Sequence, residues 1–245
     1  MADELVLRAD TGGVATLTLN RPDKLNALTP GVFVRLRQHL DDIGHDESIR
    51  CVVIAGAGRS FCAGHDLGAI AEHEPAPSRH FEPETVDALE QLPQPTIARL
   101  HGHCFTGGLE LALACDILVA AESTTLGDTH GQWGLVPIWG MSVRLPERVG
   151  RSTAKELMFT SRRVGAIDAA AIGLVDHCVP DDEIDATIDG LTAEIVQNSP
   201  ETNRIVKRLI ADRAERSRDE ALLHERRLPH GRPGDMAERM RAGGR

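Results

Sequence analysis

The chain has 245 residues, 41% of them hydrophobic and 26% charged, which suits one globular domain with room for a helical appendage. A formal net charge of −10, with no basic cluster interleaved with aromatics, argues against nucleic acid as partner. Aromatic residues make up only 3% of the chain, so the core is expected to be aliphatic.

The N-terminal MADELVLRAD lacks the apolar segment of a secretory signal, and no run is apolar enough to span a bilayer. Residues 4–8 and 13–20 read as two strands joined at Gly12-Gly13, a hairpin signal. Arg21-Pro22 ends the second strand. Thr29 then caps a helix with Pro30 at its first position, along which Val32, Phe33, Leu36, Leu40 and Ile43 recur at helical spacing. A buried strand is expected at Cys51–Ala55, followed by GAGRSFCAGHDLGAI, where glycines join a strand to a helix. The Pro-rich, polar stretch 72–83 predicts a loop, and 84–92 a helix. Another strand carries Ile97, Ala98 and Leu100; a Phe-Thr-Gly-Gly turn and a helix, Leu109–Cys115, follow. After the apolar ILVAA comes a mostly irregular stretch. Helices are then expected at 140–148, 152–159 and 166–172, a strand at 174–179, and helices at 183–198, 200–215 and 218–228 before a polar end. Strands alternating with helices predict an α/β core with a helical C-terminal section. The five cysteines are scattered, without a C-x-x-C pair, so a reducing, cytoplasmic setting is expected.

The Gly-Gly turn is the first candidate for chemistry. A helix start leaves backbone N–H groups unpartnered, Gly107 and Gly108 give a ligand access to them, and Glu110 sets a carboxylate one turn on. A donor for a developing oxyanion beside a general base is the minimum for proton transfer next to a carbonyl. Taken alone, the stretch is better explained as a plain turn with Glu110 as a first-turn helix cap. SFCAGHDL (60–67) has a similar design, and the N–H of His65 can meet that of Gly107 at one oxygen. Asp128 and His130 lie in a glycine-rich irregular stretch suited to a pocket wall. Residues 71–83, Trp133 and Trp139 are expected to border the same pocket. His101 and His103 stand at strand spacing but lack a third ligand for zinc, so His103 is expected to be a packing or solvent-facing histidine. His73 and His80 read as solvated. No GxGxxG opens a helix and no GxSxG is present.

LNRPDKLNAL (19–28), SFCAGHDL, HGHCFTGGLELALACD (101–116) and LGDTHGQWGLVPIWGM (126–141), in this order and spacing, resemble the enoyl-CoA hydratase/isomerase (crotonase) superfamily. The resemblance covers the chain to about residue 215. It implies an α/β spiral of ββα units over residues 1–190 and, over 191–245, a helical section that builds a homotrimer or a dimer of trimers. It also implies an acyl-CoA substrate drawn from fatty-acid or related metabolism, with coenzyme A as part of that substrate and no separate cofactor or metal. The thioester oxygen would sit between the N–H groups of His65 and Gly107, next to Gly108. CoA would lie along Lys24, Leu25 and Ala27 and along Ala63, Asp66 and Leu67. Hydratases of the superfamily use two glutamates; the first corresponds to Glu110 and the second position holds His130, with Asp128 a further acid/base candidate. His65 replaces a usually small residue, a feature similar to decarboxylases of the superfamily. Hydration of a 2-enoyl-CoA is the expected activity. Isomerisation, decarboxylation, or acyl-CoA binding without catalysis are the alternatives.

Overall fold

A computed structural model describes residues 4–243. Its strands are β1 (Val6–Thr11), β2 (Val14–Leu19), β3 (Cys51–Gly56), β4 (Thr96–Leu100), β5 (His103–Phe105), β6 (Ile117–Ala121), β7 (Thr125–Gly127), β8 (Val164–Gly165) and β9 (His177–Val179). The helices are α1 (Pro30–His45), α2 (Leu67–Glu72), α3 (Phe81–Glu90), α4 (Gly107–Leu113), α5 (His130–Trp133), α6 (Met141–Thr160), α7 (Ala166–Ala171), α8 (Ile184–Gln197), α9 (Pro200–Asp212), α10 (Arg218–Arg226) and α11 (Met236–Arg241). One sheet has the order β1-β2-β3-β4-β6-β9, parallel except for the β1–β2 hairpin. A second has the order β5-β7-β8, with β5 and β7 parallel.

The hairpin turns where expected. Gly12 and Gly13 both take positive φ, +60° and +87°, the geometry of a two-residue turn that matches the twist of its strands. In β2 the alternation of Ala15, Leu17 and Leu19 with two threonines puts three fully buried side chains on one face. The central strands are buried on both faces, as a parallel sheet requires. Val52, Ile54, Ala98, Leu100, Leu118 and Ala120 point into the larger core, which also holds Phe33, Leu36 and Leu40 of α1. Their alternates Cys51, Val53, Ile97, Val119 and Ala121 pack under Ile184 and Ile188 of α8. Each such isoleucine contributes about 1.5–3 kcal/mol relative to an exposed one, enough to fix α8 on this face.

Three differences from expectation have local causes. The 72–83 stretch is shorter as a loop, because α2 continues to Glu72 and α3 already begins at Phe81. The expected strand at 174–179 is only His177–Val179. Leu174 and Val175 are buried in the turn after α7, where the Leu174 N–H donates to the Ala169 carbonyl. The expected helices at 140–148 and 152–159 are the two arms of α6, divided at Gly150, which stands outside helical conformation (φ 76°, ψ 158°). The polar end also carries a short helix, α11. No helix among the described residues is long and apolar enough to cross a membrane.

Candidate active site

The second sheet builds the site. Cys62 pairs in parallel with Cys104 next to β5, and Phe105 of β5 pairs with Gly127 of β7. Three stretches therefore leave the sheet side by side and in the same direction: 62–66, 105–110 and 127–130. They carry His65, then Gly107 with Glu110, then Asp128 with His130. Residues far apart in the chain meet because of this register, which brings the expected pair of oxyanion donors together. A Cβ built on Gly107 would lie 3.3 Å from the His65 amide nitrogen. Neither of these two amides donates to another protein group among the described residues.

Thr106 aims the Gly107 amide. Its backbone is left-handed (φ 50°, ψ −114°), a conformation costing on the order of 1–3 kcal/mol that surrounding contacts must hold. Those contacts are specific. The Thr106 N–H donates to the Gly127 carbonyl, its hydroxyl meets that of Thr129 at 2.5 Å, and the Thr129 N–H donates to it at 3.2 Å. The two glycines differ in role. Gly107 leaves space for the buried indole of Trp139, 2.3 Å from where a Cβ would stand. At Gly108 a Cβ would strike the Cys62 carbonyl at 2.5 Å, so this glycine lets α4 pack against the 62–66 stretch.

Glu110 is 1% exposed. Its Oε1 accepts the N–H groups of Trp139 (3.0 Å) and Met141 (3.1 Å), while Oε2 faces His130 Nε2 across 3.7 Å. The other ring nitrogen, Nδ1, donates to Asp128 Oδ1 at 2.5 Å, and the His130 amide donates to the same oxygen at 3.1 Å. Asp128 thus fixes the tautomer and orientation of the ring, leaving Nε2 toward Glu110. Burial pushes the Glu110 carboxyl up, although the Met141 amide, His130 and the Trp139 amide pull the other way. Burial pulls the His130 imidazole down, but the hydrogen bond and charge of Asp128 and the charge of Glu110 outweigh it, so its pKa is raised. The result is a carboxyl and an imidazole that each hold a proton more tightly than the free group would, a few ångströms apart.

His65 packs against the indole of Trp139, ring centroids 4.8 Å apart and tilted, and Phe33 meets the indole in an edge arrangement at the same distance. Burial lowers the His65 pKa and keeps the ring neutral. Sequence reasoning missed its neighbour. Glu82, from the first turn of α3, brings Oε1 to 3.8 Å from His65 Nε2, and burial followed by the charge of Glu74 raises its carboxyl. Glu82 falls inside the Pro-rich stretch read as loop, and no local pattern marks it. Arg144 is the second omission. It is buried, donates to the Trp139 carbonyl at 2.7 Å, and pairs with Asp87 (2.7 Å) and Glu90 (2.6 Å), so it ties α6 and the Trp139 loop to α3. Arg144→Met is expected to cost about 2–3 kcal/mol. Most of that comes from the unpartnered buried carbonyl and the rest from two half-exposed ion pairs. A lower urea midpoint at unchanged m-value measures it.

The residues expected to follow CoA form one ridge. Leu25 and Asn26 are left-handed (φ 50° and 56°), and Asn26 is buried with its side chain bonded to the Arg21 amide and to the Ala57 and Ser60 carbonyls. The Ala63 N–H donates to the Leu25 carbonyl, and Leu28 and residues 64–66 exchange two more backbone bonds. Lys24 is exposed and Ala27 half-buried on one side; Ala63 is half-buried and Leu67 exposed on the other. Asp66 caps α2 through the Gly68 and Ala69 amides and pairs with Arg21 at 2.9 Å. His101 and His103 do not converge: His101 bonds the Gly58 carbonyl and His103 meets Ser60 Oγ at 2.8 Å.

Residues 9–240 match the model of the family described as Enoyl-CoA hydratase/isomerase. The chain is 35% identical over 224 residues to a probable peroxisomal enoyl-CoA hydratase 1 of Arabidopsis thaliana, covering 91% of this chain and 84% of that one. It is 33% identical to a short-chain-enoyl-CoA hydratase of Clostridium acetobutylicum, covering 90% and 86%. Among solved structures, an enoyl-CoA hydratase from Bacillus anthracis superposes with a TM-score of 0.90 at 33% identity, over 97% of this chain and 95% of the other. With its two largely parallel sheets, its paired free amides and this likeness over almost its whole length, the chain belongs to the enoyl-CoA hydratase/isomerase family.

Proposed function

We propose that this protein is an enoyl-CoA hydratase that adds water across the 2,3 double bond of a 2-enoyl-CoA thioester. The observation that carries the reading is the array Asp128–His130–Glu110, at 2.5 and 3.7 Å, set beside two unpartnered amides. The N–H groups of His65 and Gly107 hold the thioester oxygen as it gains charge. Glu110 takes a proton from water as the hydroxyl adds to Cβ, and the His130 imidazolium gives a proton to Cα. Glu110 then returns its proton to His130, which restores both groups, and no net proton is gained or lost. Asp128 acts through His130 and is a positioning residue. This chemistry calls on coenzyme A only as part of the substrate, with the ridge of Lys24, Leu25, Ala27, Ala63, Asp66 and Leu67 as its track. Exposed apolar side chains on α9 and α10, among them Val206, Ile210 and Leu223, support a trimeric or hexameric assembly through the C-terminal helices. Five unpaired cysteines are in keeping with work in the cytoplasm.

The test is loss of enoyl-thioester absorbance on mixing with crotonyl-CoA, with 3-hydroxybutyryl-CoA identified as product. Bound but unconverted thioester would reject the hydratase reading. Gly107→Ala is expected to lower kcat by about 10²-fold, the scale of one lost oxyanion donor, because the new methyl displaces Trp139 and shifts the amide. Its KM should change far less, and steady-state kinetics on the folded variant separates the two.

A further inference from the structure

The helices α9, α10 and α11 bury no side chain completely, yet one polar cluster ties two of them together. Asp212, the last residue of α9, turns Oδ2 to two imidazoles. His224 Nε2, from α10, lies at 2.9 Å, and His230 Nε2, from the loop after it, at 2.8 Å. The three donor atoms are within 4.8 Å of one another and the three residues are half-buried. Among the described residues no other trio of His, Cys, Asp or Glu converges in this way. The carboxylate has no further side-chain hydrogen bond there. Arg216 reaches the Asp212 backbone carbonyl instead, and Arg213 that of Arg216.

Two imidazole nitrogens and one carboxylate oxygen are a donor set that zinc takes. Tetrahedral ligands about 2.0–2.1 Å from zinc stand roughly 3.3 Å apart, so the two contacts of Asp212, at 2.9 and 2.8 Å, lengthen by about half an ångström to admit the ion. Without metal, both rings must present an Nε2–H to one oxygen; a zinc ion replaces those two protons. A groove of about 540 Å³ between α9 and α10 has Asp212 and His224 on its wall, leaving room for a fourth ligand.

We propose that Asp212, His224 and His230 bind one zinc ion that staples α10 and the loop after it to the end of α9. Within one chain these helices bury no side chain completely, so the tie adds a link that packing alone does not supply, and the binding free energy of a structural metal becomes folding free energy. The experiment titrates the full-length, chelator-treated protein with zinc chloride in a calorimeter and follows amide hydrogen exchange with and without zinc. One saturable zinc per chain is expected, with slower exchange confined to residues 209–231. Asp212→Asn and His230→Gln should each weaken binding more than about tenfold, the low end of what even outer-shell changes cost. Circular dichroism, with crotonyl-CoA turnover where the protein shows it, verifies that each variant is folded. No saturable binding by the wild type, equal binding by both variants, or protection placed elsewhere would overturn the site.

Discussion

Glu110→Gln is expected to lower kcat for crotonyl-CoA hydration by about 10⁴-fold, the upper end of what a general base contributes, with KM within a few-fold of wild type. The amide has the volume of the carboxyl and its oxygen still accepts the Trp139 and Met141 N–H groups, so the loop over α4 keeps its anchor. What disappears is the atom that takes the water proton. The substituted group also turns an N–H₂ toward His130 Nε2 where a carboxylate stood at 3.7 Å, which removes the charge that helps keep the ring protonated. Both proton positions of the addition are therefore lost in a single substitution. Substrate affinity survives, because the amides of His65 and Gly107 are untouched. The measurement is steady-state kinetics on a variant whose thermal unfolding matches the wild type. A loss of less than tenfold would show that another group is the base, and Glu82 is then the carboxyl to test.

The Gly12-Gly13 hairpin, the capped helix α1 and the buried strands β3, β4 and β6 are legible in the sequence because their signals are local: a turn type, a cap, a period. The two halves of the proposed oxyanion site are legible as motifs for the same reason. The second sheet is not. β5 and β7 are three residues each, too short to show a period, and the pairing of Cys62 with Cys104 joins stretches about forty positions apart. Yet this pairing alone sets His65 beside Gly107. Trp139 is expected only as a pocket border, but its ring fills the space that Gly107 leaves and its amide anchors Glu110. Arg144, which holds that loop from behind, and Glu82, which faces His65, are charged residues on helices with nothing in their spacing to set them apart. Long-range register and packing decide their roles, and neither leaves a mark on the neighbouring sequence.

Asp128 shows how such a partner tunes the chemistry. Asp128→Asn is expected to lower kcat near neutral pH by about 10³-fold, on the scale of an imidazole deprived of its orienting carboxylate. It should also slide the pH profile. The proposed reaction needs Glu110 as carboxylate and His130 as imidazolium, so activity should rise with pH as the pair loses its first proton and fall as it loses the second. The hydrogen bond and charge of Asp128 raise the His130 pKa; without them the imidazolium deprotonates earlier and the alkaline limb moves to lower pH. The same charge is the last of the influences on Glu110 and raises it slightly, so the acid limb should move the same way by less. The bell therefore shifts toward acid and narrows. A purely structural contribution from Asp128 would scale the whole profile down and leave both limbs in place, so kcat measured across pH 5.5–9.5 on both proteins separates the two roles.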